Sequence, residues 1–133
     1  MASVKFRFED LEIWRMAIEV AEFLFDVADE LEAKKLYRFA EQLRGADLSA
    51  PNNIAEGSGS VSKREFSQFL NIARRSTFEN ANMLIIFDRK KLITRTRRDH
   101  LLERLDHLSR TITSFQRTLM RLRHGAERYG QRT

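Results

Sequence analysis

The chain has 133 residues, 42% of them apolar and 32% charged, which suits one globular domain with a single core and argues against disorder. One proline and five glycines are too few to punctuate an all-β protein, and the absence of cysteine excludes a disulfide framework, a Cys-zinc site and a thiol nucleophile. The net charge of +5 hides an asymmetry: residues 1–88 hold 11 Lys/Arg against 15 Asp/Glu, and residues 89–133 hold 13 against 4, so −4 plus +9.

The first helix is expected over about 10–31. Leu11, Trp14, Ala17, Ile18, Ala21, Leu24, Phe25, Ala28 and Leu31 recur at spacings of three and four. A second set, Ile13, Met16, Val20, Phe23 and Val27, widens the apolar arc to roughly 240°, well beyond the ~100° that a surface helix needs. The excess predicts that these five residues face another chain. A second helix over about 34–56 buries Leu36, Phe39, Ala40, Leu43, Ala46, Ala50 and Ile54, with Pro51 kinking it near Asp47–Pro51. The alternative is two shorter helices broken at Ser49-Ala50-Pro51. Gly57-Ser58-Gly59-Ser60 reads as the following turn, with Gly57 just past the helix.

Ser62-Lys63-Arg64-Glu65 is a capping box that opens a third helix, about 62–89. Its seam includes Ser76, Thr77 and Asn80, and its end, Met83-Leu84-Ile85-Ile86-Phe87, is apolar all round and asks for more than one buried face, so self-association through the surplus faces of the first and third helices is expected. In the fourth helix, about 97–123, Leu101, Leu105, Leu108, Ile112, Phe115, Leu119 and Leu122 alternate spacings of four and three, and a basic tail covers 124–133. Four such helices with short connections predict an all-α, up-down-up-down four-helix bundle in a single domain, 1–133. The broad apolar faces argue against the rival, a long coiled-coil dimer. Met1 to Arg7 lack a signal peptide's apolar run and no stretch approaches a membrane span, so a cytoplasmic protein without a membrane partner is expected.

The residues that carry chemistry are few. The positions three before His100, His107 and His124 are Arg97, Arg104 and Arg121, so the Glu-x-x-His pairs of di-iron bundles are missing. Gly57-x-Gly59-x-x-Ser62-Lys63 has the wrong spacing for a phosphate loop and follows a helix. No nucleophile–base–acid set can be assembled. The expectation is a protein without catalytic residues, metal or cofactor. The basic end says more: Arg110, Arg117 and Arg121 fall opposite the leucine seam along roughly 16 Å of helix, and Arg128 joins them if the helix continues. Arg89, Lys90, Lys91, Arg95, Arg97 and Arg98 form a second cluster before that helix. Guanidinium groups so spaced suit the phosphates of RNA or DNA, with Arg95, Arg97, Arg98, Arg110, Arg117, Arg121 and Arg128 as candidates. No exposed aromatic platform for bases is evident, which favours backbone over base contact. The bland reading is a solubilising face, partly neutralised by Asp99, Glu103 and Asp106.

The segment Gln42-Leu43-Arg44-Gly45-Ala46-Asp47-Leu48-Ser49-Ala50-Pro51-Asn52-Asn53-Ile54-Ala55-Glu56-Gly57 closely resembles the hallmark of a bacterial family of four-helix bundles, the intervening-sequence proteins encoded within insertions in large-subunit ribosomal RNA genes. The likeness extends to Phe8–Trp14 and to Glu65-Phe66-x-x-Phe69-Leu70-x-Ile72-Ala73-Arg74-x-Ser76, covering about residues 6–92. It implies a subunit of a ring-like homopentamer without enzymatic activity, and it marks Ser49, Pro51, Asn53, Glu56 and Gly57 as motif positions. Accessory proteins of diversity-generating retroelements stand nearby. They imply a second reading, a purely structural module that partners a protein such as a reverse transcriptase. Gly45, Asp47, Ala50, Ser60 and Arg75 depart from the family pattern, Asp47 by entering a normally apolar stretch.

Overall fold

The computed structural model describes residues 3–122, and Arg128 and the tail lie outside them. A short 3-10 turn, Arg7–Asp10, leads into five α-helices: α1 Glu12–Ala33, α2 Tyr37–Asp47, α3 Ser49–Ser58, α4 Lys63–Arg89 and α5 Arg95–Arg121. Among the described residues there is no strand, and no helix is long and apolar enough to cross a membrane. α2 and α3 together form the second rod, so the bundle has four. The four rods share one apolar core, and long-range ion pairs tie neighbouring helices at its surface. Arg44 of α2 reaches Asp29 and Glu32 of α1 at 2.7 Å each, and on the other side Arg97 and Arg104 of α5 pair with Glu30 and Glu19 of α1.

The ends of the long helices are set by side-chain caps. Ser62 Oγ accepts the Glu65 N–H at 3.1 Å to start α4, the first half of the expected capping box. Thr94 Oγ1 accepts the Arg97 N–H at 3.1 Å to start α5, two residues earlier than its leucine pattern suggests. The leucine seam of α5 (Leu101, Leu105, Leu108, Ile112, Leu119) is buried in the shared core, with Phe115 and Leu122 packed at its margin.

Three expectations are corrected. The second rod is two helices, divided at Leu48, and it begins at Tyr37 because Lys34–Leu36 form a turn. Pro51 explains the division. As the third residue of α3, its missing N–H falls among the donors that have no intrahelical partner anyway, whereas within one continuous helix it would face the Asp47 carbonyl. Second, Gly57 does not follow the helix but lies inside α3, buried against Phe66 and Phe69 of α4. Third, the surplus arc of α1 needs no second chain. Ile13, Val20 and Val27 are 1%, 5% and 0% exposed within this chain's own core, and Met16 and Phe23 pack at its edge. The pattern gave the width of the apolar arc correctly, but α2, α3 and α5 cover it. Phe23 also carries the Arg104 guanidinium 4.6 Å from its ring centroid.

Of the helices, α4 keeps the most large apolar residues open. Ile72, Phe78 and Ile86 are 44%, 61% and 42% exposed. Only Ile86 belongs to the all-apolar block singled out in the sequence. Leu84 and Phe87 of that block are core residues, and Met83 and Ile85 are half-buried.

Candidate nucleic-acid interface

The expected arginines divide into paired and free groups. Arg95 meets Asp88 at 2.8 Å, Arg97 is held by Glu30, and Arg98 reaches Asp99 at 3.0 Å and Asp88 at 3.7 Å. Arg110 pairs with Asp106 one turn before it at 3.1 Å. Arg117 and Arg121 are exposed, with no ion pair or hydrogen bond to a described residue. They stand about 6 Å apart along the helix axis. Asp99 and Asp106 neutralise their neighbours as the sequence suggested, but the sequence alone could not show the partner of Arg97, because Glu30 lies 67 positions away.

To the expected cluster of Arg89, Lys90 and Lys91, at the end of α4 and in the turn after it, the fold adds three cations that the periodicity placed inside a helix. The α1–α2 turn carries Lys34 and Lys35, and Arg38 follows in the first turn of α2. The two turns meet at one end of the bundle, where Lys34 Nζ donates to the Leu92 carbonyl at 3.1 Å. Between them opens a cleft of about 680 Å³ whose lining includes Lys34, Lys91, Arg95 and Arg97 alongside Glu30 and Asp88. Lys35, Arg38, Arg89, Lys90 and Lys91 are exposed and make no ion pair with a described residue. The expectation of no exposed aromatic platform for bases meets an exposed ring beside these cations. Tyr37, 57% exposed, directly follows the α1–α2 turn.

The motif residues around the break hold helices together. Asn53 Nδ2 donates to the Ser49 carbonyl at 2.8 Å and lies 3.4 Å from its Oγ. Ser49 and Ser76 hydroxyls are 2.6 Å apart, and Ser76 Oγ donates to the Ile72 carbonyl at 2.9 Å. With the Ser76 proton committed to Ile72, the Ser49 hydroxyl must be the donor between the two serines. This chain of bonds runs from α3 into α4 and accounts for Ser49 and Asn53 without a ligand. Pro51 is buried and Glu56 is exposed. Just before the break, the Asp47 carboxyl is buried with neither oxygen hydrogen-bonded. Burial pushes it up to about 7, and the Arg44 guanidinium only partly offsets this.

Among the described residues no cluster of three His, Cys, Asp or Glu could hold a metal ion. His100, His107 and Glu103 sit on the exposed face of α5, where the His100 Nε2 accepts from Arg104 Nε at 3.1 Å and its ring meets Phe23 edge-on.

The sequence pattern of a family described as 23S rRNA-intervening sequence protein matches residues 9–114. No curated protein matches. Among solved structures, a protein of unknown function of the S23 ribosomal protein family from Bacteroides thetaiotaomicron is similar at a TM-score of 0.74 and 21% identity, over 78% of this chain and 97% of that one. That likeness is one of fold.

Proposed function

The chain belongs to the 23S rRNA-intervening sequence protein family, and on that premise we propose that it is a non-catalytic, self-assembling bundle that binds the phosphate backbone of RNA or DNA. The observation that carries this reading is the distribution of uncommitted cations. Arg117 and Arg121 on α5, the exposed lysines and arginines at the two turns, and Arg64 and Arg75 on α4 make no ion pair with a described residue, whereas Arg44, Arg95, Arg97, Arg98, Arg104 and Arg110 are held by carboxylates. Cations without internal partners are free to displace counterions from phosphates, an attraction indifferent to base sequence.

Replacing both Arg117 and Arg121 with Gln tests it. Two phosphate contacts removed from a duplex should flatten the slope of log affinity against log salt by about 2, with little change in thermal stability. An unchanged slope would remove α5 from the interface. Absence of binding even at low salt would leave the second reading, a protein–protein module.

Self-assembly, as the homopentamer that the resemblance implies, is supported by Ile72, Phe78 and Ile86 on α4, one of the two helices expected to supply the contact, while the α1 residues lend it no support. Phe78→Glu should convert the assembly to single chains in light scattering while leaving helicity intact. A wild-type particle of one chain's mass would end the proposal of assembly.

A further inference from the structure

Two of the helices end in the same way. Glu32-Ala33-Lys34-Lys35-Leu36 closes α1 and Asp88-Arg89-Lys90-Lys91-Leu92 closes α4. In each, the second lysine has a positive φ, 66° at Lys35 and 62° at Lys91. Each of these lysines donates its N–H back to the acidic residue three before it, Lys35 to Glu32 and Lys91 to Asp88, both at 2.8 Å. The leucines close the outer bonds, Leu36 to Leu31 at 2.9 Å and Leu92 to Phe87 at 2.8 Å, and both pack against the core. This closure requires a left-handed residue at the position that glycine fills without strain. A lysine there carries a steric cost, and it does so twice. Favourable charge at the helix C-terminus does not explain it, since Lys34 and Lys90, one residue earlier, already supply that charge.

We propose that Lys35 and Lys91, held by these twin turns at one end of the bundle, form a clamp for the phosphates of a single-stranded RNA or DNA backbone. The inference rests on the reading that the chain binds such a backbone, and it places the principal contact at the turns rather than along α5. The tie between Lys34 and the Leu92 carbonyl keeps the two turns together, and Lys34 from the first turn and Lys91 from the second both line the cleft between them. An exposed tyrosine, Tyr37, follows the first turn, and an aromatic ring there gives an unpaired base a face to stack on. A stacking face beside paired cations is what an unpaired nucleotide uses, and the choice against a carboxylate-rich partner is made by the polyglutamate competition below.

The test exploits the strained positions. Lys35→Gly with Lys91→Gly removes both charges and relieves both turns, so Tm should rise by about 4 °C. Affinity for a short labelled single-stranded RNA at low salt should nevertheless fall about tenfold, with a salt slope shallower by about 1.4. Lys35→Arg with Lys91→Arg keeps the charge and should bind as the wild type does. Unchanged affinity in the glycine pair, or equal loss in the arginine pair, would overturn the clamp. So would displacement of the RNA by polyglutamate at matched charge. If the Arg117→Gln, Arg121→Gln variant loses affinity while the glycine pair does not, backbone binding stands and only the clamp fails. Wild-type protein that binds no RNA would end both.

Discussion

Taking the protein from about pH 8 to about pH 5 should stabilise it by up to about 2.6 kcal/mol, and Asp47→Asn should abolish the effect. Asp47 is 1% exposed and neither of its oxygens has a donor, so its charged form loses water without replacement. The carboxyl titrates at 3.8 when unfolded and at about 7 when folded, raised chiefly by burial. The folded state therefore holds the proton more tightly, and stability falls as pH rises through the interval between these values. Above the upper value both states are ionised and the penalty is constant, at most about 4 kcal/mol. Below the lower value both are protonated and nothing more is gained. The exposed Asp10 works in the opposite sense, because its hydrogen bond to Lys5 lowers its pKa, and its contribution is lost only under more acidic conditions. Urea unfolding at the two pH values measures the difference. Equal stability at both, or an Asp47→Asn variant that keeps the wild-type dependence, would show that the carboxyl finds a partner in solution.

Gly57→Ala should destabilise the fold by about 3 kcal/mol. An added Cβ would lie 2.7 Å from both Phe66 Cδ1 and Phe69 Cβ, and 3.2 Å from Phe66 Cε1. The Phe66 ring could turn aside, but the Phe69 Cβ is anchored to the α4 backbone, so α3 and α4 would have to separate. That movement would stretch the Ser49–Ser76 bond, which has only 2.6 Å between its oxygens. Gly45→Ala is the matched control. In α2 a Cβ there meets nothing within 4 Å, and the substitution should stabilise by about 0.5–1 kcal/mol through backbone entropy. Denaturation midpoints that move in the same direction for both variants would contradict the packing described for α3.

The sequence carried what is periodic and local. The α5 seam, the Ser62 cap and the polar run Ser76–Thr77–Asn80 stand where their spacing placed them, all on buried or capping positions. Width was legible on α1, but occupancy was not. Ile13, Val20 and Val27 looked like surplus because a helical wheel shows how much apolar surface must be covered and not which element covers it. The break in the second rod follows from Pro51, yet its place at Leu48 depends on which carbonyls α3 can do without. The twin turns escaped notice because Lys-Lys-Leu contains neither glycine nor proline, the residues that signal a left-handed turn. Pairing of Arg95 and Arg97 was invisible because their carboxylates, Asp88 and Glu30, come from other elements, and with them the sequence overstated the free charge of the fourth rod while missing Lys34, Lys35 and Arg38.

Binding of the wild-type chain to RNA, measured across a salt series, bears most directly on the proposed role. The distribution of free cations predicts affinity at low salt that falls steeply and linearly in log–log form, whatever the base sequence. No binding at low salt, or an affinity that salt does not change, would contradict it.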